Sequence, residues 1–214
     1  MRNIVLIDYG SGNLRSAEKA LRKAAAELTR PPRILTTADP DSIARADAVV
    51  LPGVGAFAAC RSALYARPGL VEAMTEAVTT RGAPFLGVCV GMQLLATRGL
   101  EFGQTAGLDW VAGEVRRLIP ADRAAKVPHM GWNCIDGDLP APLFAGLPIG
   151  SQMYFTHSFA FHAADACDVA AWTDHGGPVV AAVVRGNIAG AQFHPEKSQA
   201  AGAVLLRNFL EWRP

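Results

Sequence analysis

PFLGVCVGMQLL, residues 84–95, is an apolar run that places a glycine on either side of a cysteine. Gly87 stands two residues before Cys89, and Gly91 two residues after it. Glycine inside a buried strand costs backbone entropy and leaves packing unfilled, so a strand alone does not account for the pattern. A strand that ends at Cys89 and turns sharply into a helix does. That is the nucleophile-elbow pattern, with cysteine in place of serine. The glycines let neighbouring backbone come close, and the strained turn lifts the sulfur out of the sheet. A helix starting near Val90 would direct its dipole and free N–H groups at the sulfur, favouring the thiolate. Taken alone, a cysteine in an apolar run is better explained as a buried core residue; the paired glycines and the strand-to-helix context are what shift the reading.

Around this stretch, strand-like and helix-like segments alternate. NIVLI (3–7) is a short apolar run ended by DYGSGN, and LRSAEKALRKAAAEL then sets Leu14, Ala17, Leu21, Ala24 and Leu28 on one helical stripe. RILTT (33–37) and DAVVL (47–51) follow as strands, the second running into PGVGAF, with Ala-rich helical stretches around 57–66 and 70–80 before PFLGV. Continuous apolar strands separated by helices predict a largely parallel sheet covered on both faces. Beyond about residue 108, EVRRL, QMYFTHSF, CDVAAWT, PVVAAVV and NIAGAQF are closely spaced strands, which predicts an antiparallel extension or a mixed sheet. SQAAGAVLLRNFLEW closes the chain as a helix, with Ser198 as its expected N-cap. The expected fold is α/β: three layers, a mostly parallel central sheet with helices on both faces, and an antiparallel extension in the C-terminal half. With no repeat, linker or low-complexity tract, residues 1–214 are expected to form one domain.

Composition narrows the function. The 214 residues are 50% hydrophobic and 18% charged, enough for a sizeable core, and the formal net charge is +1. Lysine and arginine are scattered, so no nucleic-acid surface is expected. The first apolar run is stopped by Asp8, too short for a signal peptide, and no stretch reaches membrane-spanning length. Four cysteines without a CxxC pair read as reduced thiols in a cytoplasmic protein. YGSGN lacks the third glycine of a dinucleotide loop. His157 has no second ligand at metal-binding spacing. No cofactor or metal is expected.

A thiolate needs a base, and the base needs an orienting group. AQFHPEKS supplies both candidates. Pro195 biases His194 toward an extended backbone, and in an extended chain Glu196 lies on the same side as the imidazole. A carboxylate there can hold the tautomer that accepts the cysteine proton. The oxyanion of acyl transfer needs donors. Val90, just after the nucleophile, offers one N–H, and LPGVGAF (51–57) can turn another inward. Gln93, four residues after Cys89, shares its helix face and is suited to a polar ligand. Met130 and Trp132, in PHMGWN, read as apolar groups on a loop, suited to a partner interface or to the core.

PFLGVCVGMQLL, LPGVGAF and AQFHPEKS together resemble the class I, triad-type glutamine amidotransferases. YGSGNLRS (9–16), KVPHMGWN (126–133) and YFTHSF (154–159) are similar to the glutaminase subunits of imidazole glycerol phosphate synthases, and the likeness runs from residue 4 to about 210. Phe159 stands where tyrosine is more usual, and GAQFHPE replaces the commoner GVQFHPE. The resemblance implies Cys89 as nucleophile, His194 as acid and base, and Glu196 as its orienting group. It implies Gly53, Val54, Gly55 and Val90 at the oxyanion site, with Gln93, Tyr154, Ser158 and Phe159 holding glutamine. It further implies a heterodimer with a (β/α)₈-barrel cyclase that receives the ammonia for histidine biosynthesis, with Asn13, Met130, Trp132 and Lys197 at the interface. Two other readings of the residues stay open: a stand-alone thiol hydrolase, and a binding subunit that kept only the fold.

Overall fold

A computed structural model describes residues 1–122, 124–137, 142–148 and 150–214. The N-terminal half alternates as expected: β1 (Asn3–Ile7), α1 (Leu14–Ala26), β2 (Arg33–Thr37), α2 (Pro40–Ala44), β3 (Ala48–Gly53), α3 (Phe57–Tyr65), α4 (Leu70–Thr75), β4 (Phe85–Cys89) and α5 (Val90–Gln93). Two short strands, β5 (Arg98–Gly99) and β6 (Thr105–Ala106), precede β7 (Gly113–Arg117), β8 (His129–Cys134), β9 (Gln152–His157) and β10 (Phe159–Ala163). The chain ends with β11 (Val169–Asp174), β12 (Pro178–Arg185), β13 (Ile188–Ala191) and α6 (Gln199–Glu211).

The main sheet has seven strands in the order β11-β12-β13-β4-β3-β1-β2. From β13 to β2 every pairing is parallel, and β12 and β11 extend the sheet through antiparallel pairings. In β3 all six residues are buried in succession, as a strand covered on both faces must be. α1 packs against α6, and α2 against α4.

Three expectations need correction. The antiparallel extension consists of β11 and β12 alone. EVRRL and the end of YFTHSF pair with each other as β7 and β10 in a separate four-stranded sheet. QMYFTHSF is broken at Ser158 into β9 and β10, and PHMGWN is not a loop: it is β8, paired antiparallel with β9. On β8 the burial alternates, so Met130 and Trp132 lie outward as strand residues of one face, 64% and 45% exposed. Finally, Ser198 does not cap α6 with its side chain. Its hydroxyl donates to the His194 carbonyl at 2.6 Å and accepts the Tyr154 N–H at 3.0 Å, tying the segment before α6 to β9.

Candidate active site

Three neighbouring parallel strands bring the site together. β13, β4 and β3 lie side by side, with Ala191 opposite Val88 and Gly53 opposite Cys89. Their C-terminal ends therefore deliver three segments to one edge: the chain leading to His194, the elbow at Cys89, and PGVG. Ligands of open α/β sheets collect at this edge.

The elbow is strained and tightly seated. Cys89 has φ 56° and ψ −112°, a left-handed conformation that a side-chain-bearing residue adopts at a cost of about 1–3 kcal/mol. The flanking glycines answer to close backbone approach. A Cβ on Gly91 would come within 1.9 Å of the Leu51 carbonyl oxygen, and one on Gly87 within 2.5 Å of the Gly91 oxygen. α5 is only one turn, Val90–Gln93, so a long helix dipole is not what faces the sulfur. What remains is the Val90 N–H, which as the first helical donor has no intrahelical acceptor.

His194 and Glu196 meet as expected, though by a different path. His194 is extended, at φ −102° and ψ 97°, but Pro195–Lys197 then form a single 3₁₀ turn. The turn swings the carboxylate back, and Glu196 Oε1 lies 2.8 Å from His194 Nδ1, both side chains buried. The His194 N–H donates to the Tyr154 carbonyl at 2.9 Å, so β9 anchors the His194 backbone. Nε2 is buried without a hydrogen-bond partner of ordinary geometry among the described residues. Burial alone would push the imidazole pKa down. The Cys89 sulfur and the Glu196 carboxylate outweigh it and raise the value to about 9. The charged form of the His194 imidazole is thereby favoured.

A cavity of about 380 Å³ opens over these groups, lined by Val54, Gly55, Cys89, Val90, Gln93 and His194 on the strand-end side. Ser158, Phe159, Thr156, His157, Pro128, Glu101 and Lys197 complete the wall. Gly53 and Tyr154 are not among the lining residues: Gly53 is packed against Val90 and Gly91, and Tyr154 serves through its backbone. Gln93 does not offer its amide N–H groups to the cavity. Its Nε2 donates to the Phe159 carbonyl at 2.9 Å and to Gln192 Oε1 at 3.0 Å. His157 hydrogen-bonds the Phe159 carbonyl and His129 at 2.9 and 3.1 Å, and burial lowers its pKa to about 4, which makes it a neutral structural group. Among the described residues no cluster of three metal-ligating side chains occurs.

One wall residue, Glu101, and one residue buried behind the wall, Gln192, escaped the sequence reading. Glu101 follows a short strand in a segment without periodicity, and its Oε2 accepts the Phe57 N–H at the start of α3, at 2.8 Å. Gln192, inside an apolar strand end, showed no pattern beyond a buried polar residue. Lys197, expected at an interface, stands at the cavity rim with its Nζ 5.4 Å from the Tyr154 ring centre. That ring packs edge-on against Trp132 at 5.8 Å, so cavity rim and exposed β8 face are continuous. Asn13, at the start of α1, is exposed and makes no side-chain capping bond.

PGVG is held in one orientation. Tyr9 Oη donates to the Pro52 carbonyl at 2.8 Å. The Val54 carbonyl accepts from Ser11 Oγ at 3.0 Å and from Cys60 Sγ at 3.2 Å, and the Val54 N–H is aimed at Ser11 Oγ at 3.4 Å. The Val54 N–H, one of the oxyanion donors expected from this loop, is engaged elsewhere.

The family model "Glutamine amidotransferase class-I" matches residues 5–212. The chain belongs to the class I glutamine amidotransferase family, among its HisH subunits. The imidazole glycerol phosphate synthase subunit HisH of Caulobacter vibrioides is 59% identical over 214 residues, covering all of both chains. The subunit of the same name from Bradyrhizobium diazoefficiens is 51% identical, covering 99% of this chain and 100% of its own. A crystal structure of a glutamine amidotransferase shares the fold at a TM-score of 0.70 and 18% identity, covering 97% of each chain.

Proposed function

We propose that this chain, as a single domain of residues 1–214, is the glutaminase subunit of an imidazole glycerol phosphate synthase and works through Cys89, His194 and Glu196. The observation that carries the reading is that Cys89 and His194 line one cavity at the ends of adjacent parallel strands, with Glu196 on His194 Nδ1 behind it. The Cys89 thiolate attacks the carboxamide carbon of glutamine. The oxyanion that forms takes the Val90 N–H, and the C–N bond breaks as the His194 imidazolium hands its proton to departing ammonia. A water, deprotonated by the now neutral His194, attacks the thioester and releases glutamate and the thiolate. Glu196 holds the ring through Nδ1 in both steps.

The walls suit the amino acid. Glu101 supplies a carboxylate for an α-ammonium group, and Ser158 and Phe159 also line the cavity. Ammonia then passes to a (β/α)₈-barrel cyclase. There it reacts with a phosphoribulosyl-formimino aminoimidazole carboxamide ribotide, giving imidazole glycerol phosphate and aminoimidazole carboxamide ribotide in histidine biosynthesis. The exposed face carrying Met130, Trp132 and Lys197, together with Asn13, is the surface proposed for that partner in a cytoplasmic heterodimer. In keeping with this, no helix among the described residues is long and apolar enough to cross a membrane.

Cys89→Ala tests the mechanism. Glutamine-dependent turnover of the complex should be abolished while turnover with added ammonia persists, because only the ammonia source is removed. Continued glutamine hydrolysis by the variant would show that Cys89 is not the nucleophile.

A further inference from the structure

Gln192 has no exposed surface and sits between Ala191 and Phe193, both buried. A carboxamide buried so deeply needs partners. It does not line the cavity, so substrate does not supply them. Its Oε1 accepts from Gln93 Nε2 at 3.0 Å, and its Nε2 lies 3.8 Å from the Cys89 sulfur.

Chemistry decides which end of the carboxamide faces the sulfur, since amide oxygen and nitrogen are alike in shape. The Phe159 carbonyl can only accept, and one end of the Gln93 amide meets it at 2.9 Å. That end is therefore the NH₂ group. Its second N–H points to Gln192, so the Gln192 atom it meets is oxygen. The nitrogen of Gln192 is left facing Cys89. A main-chain carbonyl at the start of β10, relayed through two side-chain amides, thus ends as an N–H donor at the nucleophile.

We propose that Gln192 is a positioning residue for Cys89, its amide N–H holding the charged sulfur from the interior side while the cavity side stays open to substrate. The proposal rests on the nucleophile reading above. A donor 3.8 Å from a neutral thiol does little, whereas a thiolate draws it in, because hydrogen bonds to an ionised partner are the strong ones. The reversed amide would set an oxygen against the same negative charge. The other titratable groups around the sulfur are His194, with Glu196 behind it, and Tyr9, whose hydroxyl is committed to the Pro52 carbonyl. Gln192 adds an uncharged donor that does not titrate. Because it touches no substrate, its loss should fall on kcat and leave KM in place.

The experiment uses the subunit with its cyclase partner, iodoacetamide as thiol probe, and mass spectrometry of the Cys89 peptide. In Gln192→Leu the pH of half-maximal Cys89 alkylation should rise by about one unit, the size of one hydrogen bond to a charged group. Glutamine kcat should fall about tenfold with KM within about twofold. A folded variant with unchanged midpoint and kcat overturns the proposal, as does a loss of thermal stability with the midpoint unmoved. Gln192→Met, of the same length, carries the same test if the leucine variant does not fold. Cys89→Ala run alongside separates the claims. If that variant still hydrolyses glutamine, the nucleophile reading fails. If it is dead while Gln192→Leu matches the parent, only the positioning role fails.

Discussion

The residues in and around the cavity fall into two groups, one buried and one exposed, built on opposite principles. On one side, Cys89, His194 and Gln192 are buried at the ends of parallel strands, and His194 and Gln192 are each hydrogen-bonded to a second side chain. On the other, Val54 is 43% exposed on a glycine-flanked loop, and Trp132 and Met130 stand out from β8. The first side is finished within this chain. The second has an exposed apolar surface and an oxyanion donor turned toward Ser11. The difference sets a buried thiol, imidazole and carboxylate, assembled within this chain, against an exposed surface where, under the function proposed above, a partner would complete the oxyanion site.

The sharpest blow to the finished side is Glu196→Gln. The amide can still approach Nδ1 but brings no charge, so the imidazolium loses a stabilising neighbour. Glutamine kcat should fall by about 10²–10⁴, the range seen when an orienting carboxylate is neutralised in other triads. The variant also reports through pH. His194 is raised from 6.5 to about 9 in the folded protein, so its contribution to stability is whole below about 6.5 and is lost as pH climbs through 9. Thermal melts of the parent, followed upward through that window, should show this loss, and Glu196→Gln should flatten it. Equal slopes in both proteins would mean the carboxylate is not what holds the charge.

On the open side the largest effect belongs to Trp132→Ala. The ring touches Tyr154 edge-on but is 45% exposed, so the isolated subunit should lose little melting temperature. Partner binding, measured by titration calorimetry, should weaken by about 1–3 kcal/mol, as expected for truncating an aromatic anchor. A large drop in melting temperature with affinity unchanged would move Trp132 from the interface to the core, and the contrast between the two sides would shrink.

The two sides also differed in how well they could be read from residues alone. Parallel strands betray themselves as continuous apolar runs, so the sheet and the elbow were legible, and the chain order HPE was enough to pair His194 with Glu196. The path was not legible: a 3₁₀ turn, rather than an extended chain, brings the carboxylate round. PHMGWN misled because proline and glycine mark loops, whereas here Gly131 lies inside β8, paired across to Phe155. Ser198 misled for a related reason. Its place before α6 suggests a cap, but His194 and Tyr154 compete for its hydroxyl and win. Gln192 and Glu101 were beyond reach because their roles depend on groups far away in sequence, Cys89 in one case and Phe57 in the other.

The smallest expected effect tests the join between the sides. Ser11 Oγ is placed to bond both ends of the Val54 residue, donating to its carbonyl and lying 3.4 Å from its N–H. Glycines flank Val54, so a peptide there can turn with little steric penalty. If the turned peptide is what completes the oxyanion site, Ser11 biases the loop against it, and the partner need supply only the difference between the two orientations. Ser11→Ala removes one hydrogen bond worth about 0.5–1.5 kcal/mol, while the Cys60 thiol keeps its hold on the carbonyl at 3.2 Å. Glutamine hydrolysis by the subunit without partner should therefore rise about two- to tenfold, and the activation added by partner and its nucleotide substrate should shrink by the same factor. A fall in unpartnered activity would show that Ser11 supports the active loop. No change would leave the Cys60 thiol as the side chain that restrains Val54.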